Sequence, residues 1–138
     1  MAQIGVQPRV LKNYLLTFGT DQYEKHVNSV TLTPSASVQT WKGGTPDDVY
    51  TDATNATWTL DLAYAQDWAT PNSLSRYLFE HEGETVAMSF EPIAEGPSFT
   101  ANVIVTPGAV GGAIDAFATA TVSLGVQGKP VFDDPAAA

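Results

Sequence analysis

The sequence predicts a mainly β fold, a β-sandwich or barrel with one flanking α-helix. Apolar and polar residues alternate with a period of two in five separate runs, which is typical of strands that bury one face. A single stretch, residues 71–82, instead repeats its apolar residues at helical spacing. The chain has 138 residues, of which 43 % are hydrophobic, so one domain with its own core is predicted over residues 1–138.

The five alternating runs are rich in threonine and valine, as expected for half-buried pleated surfaces. The residues predicted to share the apolar face of each run are, in chain order, Val30 and Leu32; Trp58, Leu60, Leu62 and Tyr64; Val86, Met88 and Phe90; Phe99, Ala101, Val103 and Val105; and Ala116, Ala118, Ala120, Val122, Leu124 and Val126. Residues 1–12 carry little pattern, and residues 127–138 hold proline, paired aspartate and an alanine tail. Both ends are therefore predicted to be arms.

Residues 34–56 are predicted to form a long loop, because they are rich in serine, threonine, glycine, proline and aspartate. A loop of this length in a compact domain is usually functional or disordered. It also carries Trp41, Val49 and Tyr50, which a purely solvated loop does not favour. These three side chains are candidates for a contact surface.

The helix is predicted over about three turns, from Pro71 to Glu82. Thr70 is suited to cap its first turn, and proline is tolerated there because its missing N–H has no partner in any case. The apolar stripe consists of Leu74, Tyr77, Leu78 and His81. Gly83 is suited to the left-handed conformation that ends a helix.

Two further aromatic residues are predicted to mark an interface. Trp68 lies in a loop before the helix, and Phe79 lies off the apolar stripe of the helix. Large aromatic side chains outside the core tend to occur at contact surfaces. A sugar-binding sandwich with an aromatic platform is an alternative, but Trp58 and Tyr64 are better explained as core residues.

The chain carries 15 acidic and 6 basic residues, a net charge of −9. A surface this negative repels nucleic acid and anionic membranes, although solubility alone is the plainer explanation. No stretch approaches the ~20 apolar residues of a membrane span, and no secretion signal is recognised. The lack of cysteine excludes disulfides and fits assembly in a reducing cytoplasm.

The sequence offers no catalytic, cofactor-binding or metal-binding pattern. The two histidines, His26 and His81, belong to no metal-ligand spacing, and neither a nucleophile elbow nor a phosphate-binding glycine loop is present. The acidic residues around the end of the helix, from Glu80 to Glu84, are explained by solvation. We therefore expect that the protein is not an enzyme and needs no cofactor or metal.

Four segments together resemble the major tail (tail tube) proteins of long-tailed, siphovirus-type bacteriophages, particularly those of actinobacterial hosts. They are FGTDQYEKHVNSVTLTPSASVQTWKGGTPDDVYTD, NATWTLDLAYAQDW, TPNSLSRYLFEHEGETVAMSFEP and FTANVIVTPGAVGGAIDAFATATVSLGVQGKP. The resemblance covers nearly all of the chain and rests on overall pattern, since no catalytic signature is involved.

The resemblance implies a structural virion protein whose six copies form a ring, with rings stacking into a tube around a tape-measure protein. DNA would later pass through the lumen without specific binding. The long loop and the arms would join successive rings, which gives Trp41, Val49 and Tyr50 a role in stacking. Trp68 would lie at a subunit contact, and Phe79 either at a subunit contact or packed under an arm. Assembly would take place in the host cytoplasm and the product would be the phage tail.

Two other classes of protein remain open from the residues alone. Another small acidic virion β-domain, such as a capsid decoration protein or a tail terminator, fits the same composition. A carbohydrate-binding module fits it less well. An open strand edge that a neighbouring subunit completes is expected for a ring-forming protein.

Overall fold

The computed structural model describes residues 2–93 and 96–134, and these form nine strands and one helix. The strands are β1 (Leu15–Phe18), β2 (Asp21–Gln22), β3 (Val27–Ser35), β4 (Val38–Lys42), β5 (Val49–Ala53), β6 (Thr57–Ala65), β7 (Thr85–Glu91), β8 (Ser98–Ile104) and β9 (Thr119–Asp133), and the helix is α1 (Leu74–Glu80). The predicted class, mainly β with one flanking helix, is confirmed.

Seven strands form one antiparallel sheet in the order β2-β1-β7-β8-β9-β6-β3, and β4 and β5 form a separate pair. The long strand β9 joins the two halves of the large sheet. Its first part pairs with β6 and its second part with β8, and the two pairings overlap only at Gly125 and Val126. Just beyond, Gly128 has a φ of 79° and the pairing of β8 with β9 shifts register. This irregularity lies where β9 leaves one half of the sheet for the other.

One hydrophobic core holds the two halves and the helix together. The predicted alternation is confirmed in β6, where Leu60, Leu62 and Tyr64 are at most 3 % exposed. Leu74 and Leu78 bring the helix into the same cluster. Each fully buried side chain of this size contributes roughly 1.5–3 kcal/mol through removal of apolar surface from water.

The helix is shorter than predicted. Asn72 has a φ of 63°, a left-handed conformation that cannot continue into a helix, so Pro71 lies outside it. Ser73, and not Thr70, is the N-cap, and its hydroxyl accepts a hydrogen bond from the Arg76 N–H at 3.4 Å. The helix then ends at Glu80, and the left-handed Gly83 follows as predicted.

The predicted long loop at residues 34–56 is not a loop. β3 continues to Ser35, and β4 and β5 form an antiparallel hairpin in which Val38 pairs with Ala53 and Lys42 with Val49. Every residue of the two strands is exposed, so neither strand has a buried face or the apolar alternation that would indicate one.

The predicted C-terminal arm, residues 127–138, is strand over most of the part that the structure describes. Residues 127–133 belong to β9 and pair with β8, and residues 135–138 lie outside the described part of the chain. The run at 116–126 also begins later than predicted, because Ala116 and Phe117 lie in the loop before β9. In the predicted N-terminal arm, residues 2–12 are exposed and form no strand or helix.

Alkaline pH is expected to destabilise the fold through Tyr23. Burial, with a smaller contribution from the charge of Asp21, raises the pKa of Tyr23 to about 12 from a usual value of 10.0. The folded state binds the hydroxyl proton of Tyr23 more tightly than the unfolded state does. The stabilisation that results is complete below pH 10 and is lost as the pH rises towards 12. The substitution Tyr23→Phe should make the free energy of unfolding decline less steeply over that interval. Urea denaturation between pH 9 and 12 measures this, with exposed Tyr50→Phe as control; equal declines in both variants would contradict it.

Candidate interaction surfaces

The β4–β5 hairpin presents an aromatic pair to solvent. Trp41 and Tyr50 lie directly opposite each other, with ring centroids 5.8 Å apart, and each is 63 % exposed. Val49 pairs with Lys42 and, because side chains alternate along a strand, lies on the other face of the hairpin. The structure therefore brings Trp41 and Tyr50 together, on a strand pair and not in a loop, and separates Val49 from them.

Local contacts define the geometry of the hairpin without burying it. The Gly43 N–H donates to the Asp48 carbonyl at 2.6 Å, and a Cβ on Gly43 would lie 2.7 Å from the Asp48 Cβ. At the base, the Thr54 N–H donates to the Ser37 carbonyl at 2.8 Å. A two-stranded hairpin alone is marginally stable in water, so this one has much to gain from a partner surface.

A second aromatic pair lies at the other end of β6. Trp68 and Phe79 meet edge to face, with centroids 6.0 Å apart. Arg76 holds the Trp68 backbone in place by donating from Nε to its carbonyl at 2.8 Å. Trp68 is half-buried and Phe79 is 59 % exposed, so one edge of the pair reaches solvent.

The loop at residues 106–118 carries an apolar surface that the sequence analysis missed. Val110, Ile114 and Phe117 are all exposed, the last by 97 %. Gln66 anchors this loop, since its Nε2 donates to the Gly111 carbonyl at 2.9 Å and its Oε1 accepts from the Gly111 N–H at 2.9 Å. In the sequence, the large apolar residues on both sides of the Gly111-Gly112 pair could have indicated this surface.

The Trp68–Phe79 pair and this loop lie close together through the same glutamine. The Trp68 Nε1 donates to Gln66 Oε1 at 3.2 Å, the oxygen that also holds Gly111. The β4–β5 hairpin comes just before the Thr57 end of β6 in the chain, whereas Gln66 follows the Ala65 end. Nine residues of strand span about 26 Å at the usual rise, so apolar surface is exposed at both ends of β6.

The segment before the helix is organised by a carboxylate. Asp67 Oδ1 accepts the N–H groups of Ala69 and Thr70, each at 3.1 Å. Hydrogen bonds from the Thr70 side chain and then from its backbone lower the pKa of Asp67. The charged form of Asp67 therefore maintains the turn that presents Trp68.

One edge of the large sheet is open. β3 is the terminal strand, nine residues long, and in the described residues its strand partner is β6 on one side only. At the opposite edge, β2 has two residues. The expected unprotected edge is thus present, and a free edge of this length is a template for pairing with another chain.

The outward face of β3, β6 and the first part of β9 is covered with hydroxyl groups. It consists of Ser29, Thr31, Thr33, Ser35, Thr57, Thr59, Asp61, Ala63, Ala65, Thr119, Thr121, Ser123 and Gly125. Its one charged residue is Asp61, whose carboxylate accepts hydrogen bonds from the hydroxyls of Thr33 and Ser123. We call this surface the hydroxyl face.

The described residues provide neither a metal-binding cluster nor a membrane-spanning helix. No group of three or more histidine, cysteine, aspartate or glutamate side chains there is arranged to hold a metal ion. Among the same residues, no helix has the length and apolar character to cross a membrane.

Comparison with known proteins identifies the fold. No family model matches the chain, and no curated protein matches it. A chain of the PVC sheath/tube terminator, from an extracellular contractile injection system in its extended state, superimposes with a TM-score of 0.69 at 10 % identity, over 93 % of this chain and 98 % of that one. The chain has the fold of that subunit. A chain of the 6-fold symmetrised anti-feeding prophage (AFP) baseplate superimposes with a TM-score of 0.57 at 15 % identity, over 93 % and 97 %.

Proposed function

We propose that the protein is a structural subunit of a phage tail, whose copies form hexameric rings that stack into the tail tube. The observation that carries this proposal is the exposure of apolar surface at both ends of β6, because a subunit that stacks needs two axial contacts. The β4–β5 hairpin provides one, and the loop at 106–118 with Phe79 provides the other. The fold that the chain shares with PVC and AFP subunits supports a structural role in a tail-like particle.

Ring formation uses the open edge of β3. A neighbouring copy placed beside this edge continues the sheet from one subunit to the next, and closure of the ring removes the free edge. The hydroxyl face then lines the channel. It bears one carboxylate and no lysine or arginine, so DNA phosphates passing along it meet no cation that would hold them.

The remaining partners follow from this role. A tape-measure protein occupies the lumen during assembly, and other tail proteins contact the two ends of the tube. The chain has no catalytic activity of its own, and its location is the phage tail, with assembly in the host cytoplasm.

Negative-stain electron microscopy of the purified protein, with and without concentrated salt, tests this proposal. The net charge of −9 makes copies repel one another at low salt, and screening shortens that repulsion to a few ångströms near 1 M. We expect six-fold rings or hollow tubes of uniform width once the repulsion is screened. A protein that remains monomeric at every salt concentration, even with the other tail proteins of its phage, would overturn the proposal.

A tail terminator is the second candidate, favoured by the TM-score of 0.69 with the PVC sheath/tube terminator. Terminators cap a tube and do not extend it, so the two roles predict different products. Single rings that bind the end of a preformed tube and never stack on one another indicate the terminator. Tubes of many rings indicate the tube subunit.

A further inference from the structure

We propose that residues 3–10 of one copy bind as an added β-strand in an apolar groove of a second copy, beside the open edge of β3. This inference rests on the proposed self-association: the part of the neighbouring copy that continues the sheet beside β3 is its residues 3–10. It assigns a partner to an apolar groove and to an exposed segment that makes no strand or helix in its own chain.

The groove has a volume of about 560 Å³ and lies between β3 and the ends of β7, β8 and β9. Its walls include Leu32 of β3, Trp58 of β6, Phe99 of β8 and Phe132 of β9. Phe99 and Phe132 are in ring contact at 5.3 Å, and Phe132 is still 58 % exposed. Clefts of this size and apolar character accommodate several aliphatic side chains.

The segment has the pattern of a strand with one apolar face. Ile4, Val6, Pro8 and Val10 alternate with Gln3, Gly5, Gln7 and Arg9. The expectation that residues 1–12 carry little pattern is therefore wrong for residues 3–10. In the structure the segment forms no strand, and Ile4 is 89 % and Val6 83 % exposed. Pro8 lacks an N–H, which suits a strand added at a sheet edge.

A second copy is a better host for the segment than its own chain. Leu11 lines the groove of its own chain, but residues 2–10 leave the groove and are all exposed. Residues 1–13 contain Arg9 and Lys12 and no acidic residue, so a segment of charge +2 leaves −11 for the rest of a chain whose total is −9. Opposite charges draw the segment of one copy towards the body of another.

The edge of β3 supplies the remaining part of the site. Val30, Leu32 and Pro34 of this strand line the groove, so a peptide lying in the groove runs alongside the open edge. In strand addition the main chain provides the hydrogen bonds, and alternate side chains fill apolar pockets. Ile4, Val6 and Val10 are the side chains that fill the groove.

Two experiments with the full-length protein test this inference. In the first, a peptide of residues 2–11 is added to the protein, and amide hydrogen exchange of β3 is measured. We expect the peptide to slow exchange in β3, and a peptide with Ile4 and Val6 replaced by aspartate to have no effect. Equal effects of the two peptides would overturn the inference. So would protection, independent of protein concentration, of those β3 N–H groups that are not bonded to β6, since that indicates binding of the segment within its own chain.

In the second experiment, self-association of variants is compared by sedimentation. Ile4→Asp with Val6→Asp should weaken association at least about tenfold, because two apolar side chains lose their site. Gln3→Asp with Gln7→Asp adds the same charge to the polar face and should weaken it less. Equal losses would show that charge alone acts and would refute the strand contact.

The two experiments separate this inference from the proposed function. If rings and tubes form normally from the Ile4→Asp, Val6→Asp variant and the peptide does not bind, the inference fails and the tube proposal stands. If the wild-type protein associates through this contact, with the peptide protecting β3, but never forms rings or tubes, the tube proposal fails and the strand contact stands.

Discussion

Replacing Trp41 and Tyr50 together by alanine is expected to abolish tube formation while the subunit stays folded. Both rings are 63 % exposed on a hairpin outside the core, so their loss leaves the buried cluster intact. Aromatic anchors at the centre of an interface each contribute about 2 kcal/mol or more. Loss of two such anchors corresponds to roughly a thousandfold weaker contact between each pair of stacked subunits.

Tube length in electron micrographs and the sedimentation of rings measure this effect. Thr40→Ala with Thr51→Ala is the matched control, because these two residues form the next cross-strand pair and lie on the other face of the hairpin. Thermal unfolding of all variants should change little. Tubes of normal length and stability from the Trp41→Ala, Tyr50→Ala protein would contradict the stacking role.

The aromatic pair also stabilises the hairpin itself, and one further variant separates the two effects. The rings lie 5.8 Å apart, and such pairs contribute about 0.5–1.5 kcal/mol beyond the burial of their surface. Trp41→Phe keeps an aromatic ring opposite Tyr50 but presents a smaller surface to a partner. If this variant assembles as poorly as the alanine pair although hydrogen exchange shows an intact hairpin, the contact with a neighbour is the decisive one.

The sequence predicted well those elements that bury one face. Leu60, Leu62 and Tyr64 follow a period of two because one side of β6 meets the core and the other meets water. The hairpin was missed for the converse reason. Both of its faces are exposed, so no burial pattern distinguishes Val38–Lys42 from a polar loop, and the aromatic residues were the only trace of it.

Contacts that join distant parts of the chain could not be predicted from local pattern. Ser73 caps the helix in place of Thr70 because its hydroxyl also donates to the Asp67 carbonyl, a contact that exists only once the turn has formed. The loop at 106–118 is positioned by Gln66, which lies 45 residues before Gly111. For that reason the sequence indicated Trp68 and Phe79 as separate residues and not as a pair beside an apolar loop.

Adding a lysine to the hydroxyl face is expected to slow DNA passage through the tube. Thr121 lies on this face, opposite Ala63, and is exposed. In a six-fold ring, Thr121→Lys places six cations around the channel, where the wild-type wall offers DNA none. With six phosphate contacts, the logarithm of the DNA-binding constant falls against the logarithm of the salt concentration with a slope of about −5. DNA should therefore be retained at 50 mM salt and released near 200 mM.

The rate of DNA release from purified particles at these two salt concentrations distinguishes the wall from the outer surface. Asn102→Lys is the matched control, since Asn102 is exposed on β8, in the other half of the sheet, and gains the same charge. Release should be slow at low salt for Thr121→Lys alone. If Asn102→Lys slowed release and Thr121→Lys did not, the channel would be lined by the β7–β8 half of the sheet. The proposal that the hydroxyl face lines the channel would then be wrong.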